Sequence, residues 1–135
     1  MVPSKNSTMT AVLLVDDNPS IVQWQAEFLK DCGLQAVCAS SAEEALAICR
    51  SGVFEIRCIV SDMSMAGKNG HWLAEQCLSQ FPMIPMILST GYADVARPQP
   101  NIHSVLIKPY GPSLLLKAIR DAVAFGMTAV PPEGP

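Results

Sequence analysis

Three acidic side chains in the sequence come directly after apolar runs that are typical of buried strands. Asp16 and Asp17 follow TAVLLV at residues 10–15, and Asp62 follows IRCIVS at residues 56–61. Carboxylates that a fold brings within ~5 Å of one another repel by roughly 3 kcal/mol per pair at an effective dielectric constant of about 20. Packing does not offset this cost, so the cluster predicts a bound cation. A ligand set made only of oxygen favours Mg²⁺ over zinc.

Two further polar side chains follow apolar runs later in the chain. Thr90 follows IPMILS at residues 84–89, and Lys108 follows HSVLI at residues 103–107. A hydroxyl donates a hydrogen bond and an ammonium supplies a positive charge, so both suit an anionic group held beside a cation. Each residue alone is weak evidence, because an acid at a strand end often caps a helix. Together, at successive strand ends, they indicate a common site.

Two alternating sequence patterns predict the elements that position these side chains. Apolar segments predict five strands, at residues 10–15, 34–39, 56–61, 84–89 and 103–107. Apolar residues at helical spacing predict helices that begin at Pro19, at the capping box Ser41–Glu44, at Asn69 or Gly70, and at Gly111–Pro112. Apolar strands separated by amphipathic helices predict a doubly wound parallel sheet. In such sheets the functional residues lie at the carboxyl ends of the strands.

The composition is that of one mildly acidic globular domain. The 135 residues are half hydrophobic and 16% charged, with a formal net charge of −3. The scattered Lys and Arg residues argue against a nucleic-acid-binding surface. Five cysteines without C-x-x-C spacing argue against a zinc site and favour reduced core cysteines in a cytoplasmic protein. The early apolar run at residues 11–15 is too short for a signal peptide, and no run approaches the ~18 residues of a membrane span.

Four motifs resemble the signatures of the response-regulator receiver domain of two-component signalling. They are VLLVDDNP, SDMSM followed by NG, LSTG and LIKPY, and the resemblance covers about residues 10–126. It implies a flavodoxin-like (βα)5 fold with a five-stranded parallel sheet of order 2-1-3-4-5. We therefore expect a flexible segment at 1–9, the receiver domain at 10–126, and a Pro-rich tail or linker at 127–135.

The resemblance also implies a role for each strand-end residue. Asp62 is implied to be the phosphoacceptor, with Thr90 as a switch hydroxyl and Lys108 as a contact of the phosphoryl group. The implied ligands of Mg²⁺ are Asp16, Asp17, Asp62 and the backbone carbonyl of Ser64. These roles agree with general chemistry, since a carboxylate is a nucleophile that forms aspartyl-phosphate and phosphoryl transfer needs mainly alignment and charge neutralisation.

The implied partners are proteins. A histidine kinase or a histidine phosphotransfer protein donates the phosphoryl group, and the phosphorylated domain then switches the binding of a downstream protein. The domain is expected to transfer phosphate only to its own Asp62 and to dephosphorylate itself slowly, so it is not an enzyme towards other substrates. We expect no direct contact with nucleic acid and no membrane insertion. Both a stand-alone regulator and a receiver of a hybrid histidine kinase fit the sequence.

Two other classes of protein remain as alternatives. A phosphatase of the haloacid-dehalogenase type also begins from a strand-end Asp, but its D-x-D motif has a second acid where this sequence has Ser64, and 135 residues leave no room for a cap domain. A degenerate receiver binds partners without phosphorylation. Such a chain normally lacks one of the acids or the lysine, and here all of them are present.

The sequence departs from the receiver pattern after the fourth strand. The family usually has an aromatic residue three positions before the lysine, where this chain has Val105. Pro98 and Pro100 crowd the preceding connection, so the helix there, around Ala93–Arg97, is predicted to be short or missing. Tyr92 is then the nearest aromatic residue that can take over as the moving part, or it only packs on the loop.

Two histidines lack any acid or second histidine at ligand spacing. Both His71 and His103 are therefore interpreted as surface or helix-end residues and not as phosphate donors.

Overall fold

Strands and helices alternate along residues 9–92 and 98–128, which the computed structural model describes. The strands are β1 (Met9–Val15), β2 (Ala36–Ala39), β3 (Phe54–Asp62), β4 (Met86–Thr90) and β5 (Ile102–Ile107). The helices are α1 (Pro19–Asp31), α2 (Ala42–Ser51), α3 (Gly70–Gln80) and α4 (Pro112–Thr128). Each predicted strand and each helix predicted from helical spacing is present, and the strand ends lie within a few residues of their predicted positions.

The five strands form one parallel sheet of order β2-β1-β3-β4-β5. This confirms the predicted order 2-1-3-4-5 and the flavodoxin-like doubly wound fold. The chain moves outward from β1 to β2 and then crosses back to β3, so the strand order reverses between β1 and β3. A crevice opens at the carboxyl ends of the strands at such a reversal. Asp16 and Asp62 lie at that position.

Polar side chains cap three of the helices at their amino ends. The carbonyl or hydroxyl oxygens of Asn18, Ser41 and Asn69 each accept a hydrogen bond from a backbone N–H of the first turn that follows. These bonds satisfy N–H groups that have no partner within the helix. The caps fix where α1 and α3 begin, close to the ends of β1 and β3. No helix in the described ranges is both long enough and apolar enough to cross a membrane.

An apolar cluster covers each face of the sheet. Because successive strand side chains point to opposite faces, neighbouring residues of one strand enter different clusters. The cluster beneath α2 and α3 includes Leu13, Leu46, Ile59, Leu73 and Leu88. The cluster beneath α1 and α4 includes Leu14, Leu29, Val60, Ile87 and Ile119. Packing from both sides therefore holds the strand ends that carry the polar residues.

The connection between β4 and β5 contains the predicted short or missing helix. Ala93–Arg97 lie outside the described residues, and residues 91–92 and 98–101 on either side of them are not helical. Val105 is half-buried and packs against the cluster beneath α2 and α3. A valine thus occupies the position at which the family usually has an aromatic side chain.

The five cysteines are all free thiols, and they differ in burial. Cys49, Cys58 and Cys77 are buried, as predicted, and Cys32 is half-buried. Cys38 is exposed, so the prediction of a core cysteine is wrong there. The reason is topological, because Cys38 lies on the edge strand β2, which only one neighbouring strand covers.

Gly70 begins α3 in close contact with the end of β3. A Cβ atom at this position would lie 2.8 Å from the Asp62 carbonyl oxygen and 3.2 Å from the Met63 Cα atom. Gly70→Ala is therefore expected to force these backbones apart and to lower the free energy of unfolding by about 1–3 kcal/mol. Urea denaturation measures the change. Gly111→Ala is the control, because a Cβ there meets no atom within 4 Å; equal losses in the two variants would contradict the prediction.

Candidate functional site

Three carboxylates meet at the carboxyl ends of β1 and β3. Asp16, Asp17 and Asp62 each offer an oxygen, and these oxygens all lie within 4.8 Å of one another. Asp16 is 8% exposed and Asp62 is 9% exposed, whereas Asp17 is exposed to solvent. The structure thus brings together the three acids that the sequence predicted to form one cluster. All the donors are oxygen and one side is open to water, which fits the coordination that Mg²⁺ prefers.

Backbone hydrogen bonds fix the two acids that follow β1. The Asn18 N–H donates to Asp16 Oδ1 at 2.9 Å, within the turn that leads into α1. The Ala66 N–H donates to Asp17 Oδ2 at 2.9 Å, which ties the loop after β3 to the end of β1. Both carboxylates are therefore oriented before any cation binds, and this orientation lowers the cost of ordering them.

Lys108 reaches the centre of the cluster from the end of β5. Its Nζ atom lies 2.7 Å from Asp62 Oδ1, and its backbone N–H donates to the Thr90 carbonyl at 2.8 Å. Partial burial alone lowers the pKa of the ammonium, but the hydrogen bond and charge of Asp62, together with the charge of Asp16, raise the pKa above its usual value. Lys108 is consequently a cation at neutral pH, held against one oxygen of Asp62.

The electrostatic balance is least favourable at Asp16. Burial is the largest cause and raises the pKa of this carboxyl, the hydrogen bond from Asn18 lowers it, and the negative charge of Asp62 raises it again. The net shift is upward, so the charged form of Asp16 is less stable in the folded protein than in the unfolded chain. A nearby cation would remove this penalty.

Asp16→Asn is expected to raise the free energy of unfolding in EDTA at neutral pH, by an amount on the order of 1 kcal/mol. The amide keeps an oxygen for the Asn18 N–H and removes the buried charge. Because the pKa of Asp16 is raised on folding, the gain should exist above that pKa and fade as the pH falls through it. Urea denaturation tests this. In saturating Mg²⁺ the order should reverse, and a less stable variant in EDTA would contradict the prediction.

Thr90 ends β4 beside the acidic cluster, and its hydroxyl is engaged by a neighbouring backbone. The Tyr92 N–H donates to Thr90 Oγ1 at 3.1 Å, and the Thr90 hydroxyl donates to the Tyr92 carbonyl oxygen at 3.3 Å. The Tyr92 side chain is 72% exposed. To donate to a group bound at Asp62, the Thr90 hydroxyl would have to give up its bond to the Tyr92 carbonyl oxygen, whereas it can still accept from the Tyr92 N–H.

A cavity of about 630 Å³ lies between the loop after β3 and the loop after β4. Asp62, Ser64, Thr90 and Lys108 line it, so all the predicted site residues except Asp16 and Asp17 share one opening. The cavity is large enough for a phosphoryl group and part of the side chain that donates it. Its remaining walls are the backbone and side chains of the two loops, including Met63, Met65, Gly67, Asn69, Gly91 and Tyr92.

Two residues that lie at or beside the site, His71 and Tyr110, were not predicted there from the sequence. His71 was interpreted as a surface or helix-end residue, and it is indeed in the first turn of α3, but it is 4% exposed and lines the same cavity. The interpretation as a surface residue is therefore wrong. Tyr110 lies two residues after Lys108, and its hydroxyl contacts the residue that precedes Thr90. The motif LIKPY contains this tyrosine, yet its contact depends on packing that no local pattern reports.

Comparison with known proteins places the chain in a family. The sequence model described as "Response regulator receiver domain" matches residues 12–120. The response regulator FleR of Pseudomonas aeruginosa is 30% identical over 112 residues, which are 80% of this chain and 23% of FleR. The C4-dicarboxylate transport regulatory protein DctD of Rhizobium meliloti is 29% identical over 120 residues, 86% of this chain and 26% of DctD. The chain thus spans about a quarter of these curated relatives.

Solved structures of response regulators have the same fold. A chemotaxis response regulator, CheY4 of Vibrio cholerae, superposes with a TM-score of 0.74 at 29% identity and covers 85% of this chain and 99% of its own. The response regulator TrrA of Thermotoga maritima, solved in complex with Mg²⁺ and BeF, gives a TM-score of 0.75 at 24% identity and covers 84% and 99% of the two chains. The second likeness supports the fold alone.

The sheet order and the acidic cluster at its carboxyl edge agree with the class that the sequence model identifies, a receiver domain, which is a phosphoacceptor signalling domain of two-component systems. The chain belongs to the response regulator receiver domain family.

Proposed function

We propose that Asp62 accepts a phosphoryl group and that this modification switches the binding of a partner protein. The observation that carries the proposal is that the acidic cluster, the Lys108 ammonium and the Thr90 hydroxyl all lie around the Asp62 carboxylate. Asp62 lies within the acidic cluster, its Oδ1 contacts the Lys108 ammonium at 2.7 Å, and it opens into the cavity beside Thr90. A nucleophile, a fixed positive charge and a hydroxyl donor are the parts that phosphoryl transfer needs.

In the proposed reaction, a carboxylate oxygen of Asp62 attacks the phosphorus of a phosphohistidine on a kinase or phosphotransfer protein. The new O–P bond forms as the P–N bond breaks, and the imidazole nitrogen keeps the electron pair of that bond. Lys108 neutralises a phosphoryl oxygen, and the Thr90 hydroxyl turns from the Tyr92 carbonyl oxygen to donate to another. Asp16, Asp17, Asp62 and the Ser64 carbonyl would hold Mg²⁺, which supplies positive charge that offsets both the carboxylates and the transferred group.

The signalling context follows from the same proposal. The donor is a histidine kinase or a histidine phosphotransfer protein, and the reader is a downstream protein whose affinity differs between the two states. We place the protein in the cytoplasm and the receiver domain at about residues 10–126, with its first strand beginning at Met9 and its last helix continuing to Thr128. Both a stand-alone regulator and a receiver within a longer polypeptide agree with this domain.

Phosphorylation by a small-molecule donor tests the proposal directly. The protein is incubated with acetyl phosphate with and without Mg²⁺, and intact-mass spectrometry detects the addition of one phosphoryl group. Incorporation should require Mg²⁺, and hydroxylamine should remove the group, because it cleaves acyl phosphates. Absence of incorporation would favour a domain that binds partners without phosphorylation. Continuous release of inorganic phosphate without accumulation on the protein would favour a phosphatase.

A further inference from the structure

The hydroxyl of Tyr110 connects three elements on the face of the sheet that α1 and α4 cover. It lies 3.1 Å from Ser89 Oγ on β4, and the Gln25 side-chain amide of α1 donates to it at a longer 3.5 Å. Ser89 and Gln25 are both buried polar residues. Buried polar groups of this kind rarely go without partners, so the tyrosine hydroxyl satisfies both of them at once.

Ser89 and Tyr110 are both joined to the candidate site through the backbone. The Ser89 carbonyl accepts from the N–H of Met63, the residue after Asp62, at 2.8 Å. Ser89 also precedes Thr90 directly, and Tyr110 is separated from Lys108 by one residue. The contact between Ser89 and Tyr110 therefore joins the strand end that carries Thr90 to the loop that carries Lys108.

In the structure that contains the contact between Ser89 and Tyr110, the Lys108 ammonium contacts the Asp62 carboxylate directly. Only 2.7 Å separates the ammonium from the carboxylate oxygen, which leaves no room for a phosphoryl group between them. Once Asp62 carries a phosphoryl group, Lys108 has to shift from the carboxylate to a phosphoryl oxygen in the proposed reaction, and Tyr110 lies on the same short loop. We propose that Tyr110, held by Ser89 and Gln25, is a positioning residue that keeps the Lys108 loop in its unphosphorylated place and so sets how readily the site accepts a phosphoryl group. This inference rests on the proposed function.

The contact between Ser89 and Tyr110 lies on a different face of the sheet from Val105 of β5. A coupling between Thr90 and Tyr110 would therefore not pass through Val105. Val105 packs on the opposite face of the sheet, beneath α2 and α3, and has no hydroxyl. Tyr92 is exposed, and it meets Thr90 through its backbone. Tyr110 is the tyrosine whose hydroxyl bonds to buried groups on both β4 and α1. Movement at Thr90 would therefore also displace Tyr110 and change the environment of Trp24, which lines the adjoining cavity on the α1 face.

Binding of Mg²⁺ and beryllofluoride, a phosphoryl mimic, tests the proposal. Tyr110→Phe removes the hydroxyl and keeps the ring, so the unoccupied geometry loses the contacts with Ser89 and Gln25 and beryllofluoride affinity should rise, by up to about fivefold. Ser89→Ala should give an equal or smaller gain, and the double variant should gain no more than Tyr110→Phe, because Tyr110→Phe already removes the contact with Ser89. Thr10→Val is the control, since it removes an exposed hydroxyl that bonds to Glu55 at the amino end of β1, away from the site, and should leave the affinity unchanged.

Titrations followed by NMR separate the possible results. The Trp24 indole resonance reports on the α1 face, and the Trp72 resonance reports on the start of α3 beside the site. Unchanged or weaker affinity in Tyr110→Phe, additive gains in the double variant, or an equal gain in Thr10→Val would each overturn the inference. Wild-type protein that shows no beryllofluoride response at Asp62 would overturn the proposed function and this inference with it. A normal wild-type response with no effect of Tyr110→Phe overturns the inference alone.

Discussion

Asp62→Asn is expected to abolish phosphoryl incorporation from acetyl phosphate while the fold is retained. The amide has nearly the shape of the carboxylate, and the residue keeps its place in the β3 ladder opposite Ser89. It has no anionic oxygen to attack phosphorus, and it removes one charge from the proposed cation site. Loss of a covalent nucleophile lowers such rates by at least about a thousandfold. Intact-mass spectrometry after a timed reaction measures the loss, and circular dichroism checks the fold.

The matched control for this experiment is Asp121→Asn. Asp121 is an exposed carboxylate of α4 that pairs with Lys117 at 2.8 Å, so its replacement makes the same chemical change away from the strand ends. This variant should incorporate phosphate at the wild-type rate. Incorporation by Asp62→Asn at a rate comparable to Asp121→Asn would place the acceptor elsewhere and refute the assignment of Asp62.

Stability is a less direct readout of Asp62 than the sequence alone suggests. Repulsion among three acids predicts that any neutral substitution stabilises the protein without Mg²⁺. The structure adds an attraction, because Asp62 pairs with Lys108 at 2.7 Å and its substitution loses that pair together with the repulsion. Asp16 accepts from the Asn18 N–H, a bond that an asparagine keeps, so its substitution measures the combined cost of burial and repulsion without the loss of an ion pair to Lys108.

Most of the fold could be predicted because its signals are local. A run such as Ala11–Val15 is apolar at every position, which occurs when a strand is buried on both faces. The capping box at α2 is also local, and Ser41 does accept from the Glu44 N–H. The reciprocal bond differs, because the Glu44 carboxylate accepts from the N–H and hydroxyl of Ser40. The exact partner depends on how the chain enters the helix, which a spacing rule does not specify.

Strand ends were less predictable because turns compete for the same residues. The second strand was predicted from Leu34, but the Leu34 N–H donates to the Leu29 carbonyl at 2.8 Å and completes the end of α1. The fourth strand was predicted from Ile84, whose N–H donates to the Phe81 carbonyl in a turn after α3. In both places a helix end captures the backbone of an apolar residue that otherwise has the pattern of a strand.

The site was predictable where strand ends determine it and not where side chains meet across elements. Asp16, Asp62 and Lys108 could be predicted to converge, because parallel strands place their carboxyl ends at one edge of the sheet. The burial of His71 and the hydrogen bond of Tyr110 to Ser89 could not. Each depends on how a helix or loop packs against a distant strand, and neither leaves a periodic signal in the sequence.

Mg²⁺ is expected to stabilise the folded protein, and Asp17→Asn should remove most of this effect. A cation that binds only the folded state adds about 2.7 kcal/mol at one hundred times its dissociation constant. The asparagine keeps an oxygen to accept from the Ala66 N–H, so the loop contact survives while a ligand charge is lost. Thermal denaturation with increasing MgCl₂ measures the gain, and NaCl at matched ionic strength corrects for screening.

Asp31→Asn is the control for the Mg²⁺ experiment. Asp31 is an exposed acid at the last position of α1, and its loss should leave the Mg²⁺-dependent gain unchanged. A full gain in Asp17→Asn would mean that the exposed carboxylate is not a ligand and would leave Asp16 and Asp62 to bind the cation without it. A gain that NaCl reproduces in wild type would show screening of the acidic cluster in place of a metal site. We expect the Mg²⁺-dependent gain to be lost in Asp17→Asn and kept in Asp31→Asn. The oxygens of Asp16, Asp17 and Asp62 lie within 4.8 Å of one another, and among the described residues the ammonium of Lys108 is the one positive charge shown in contact with them, so a cation is needed to balance the cluster.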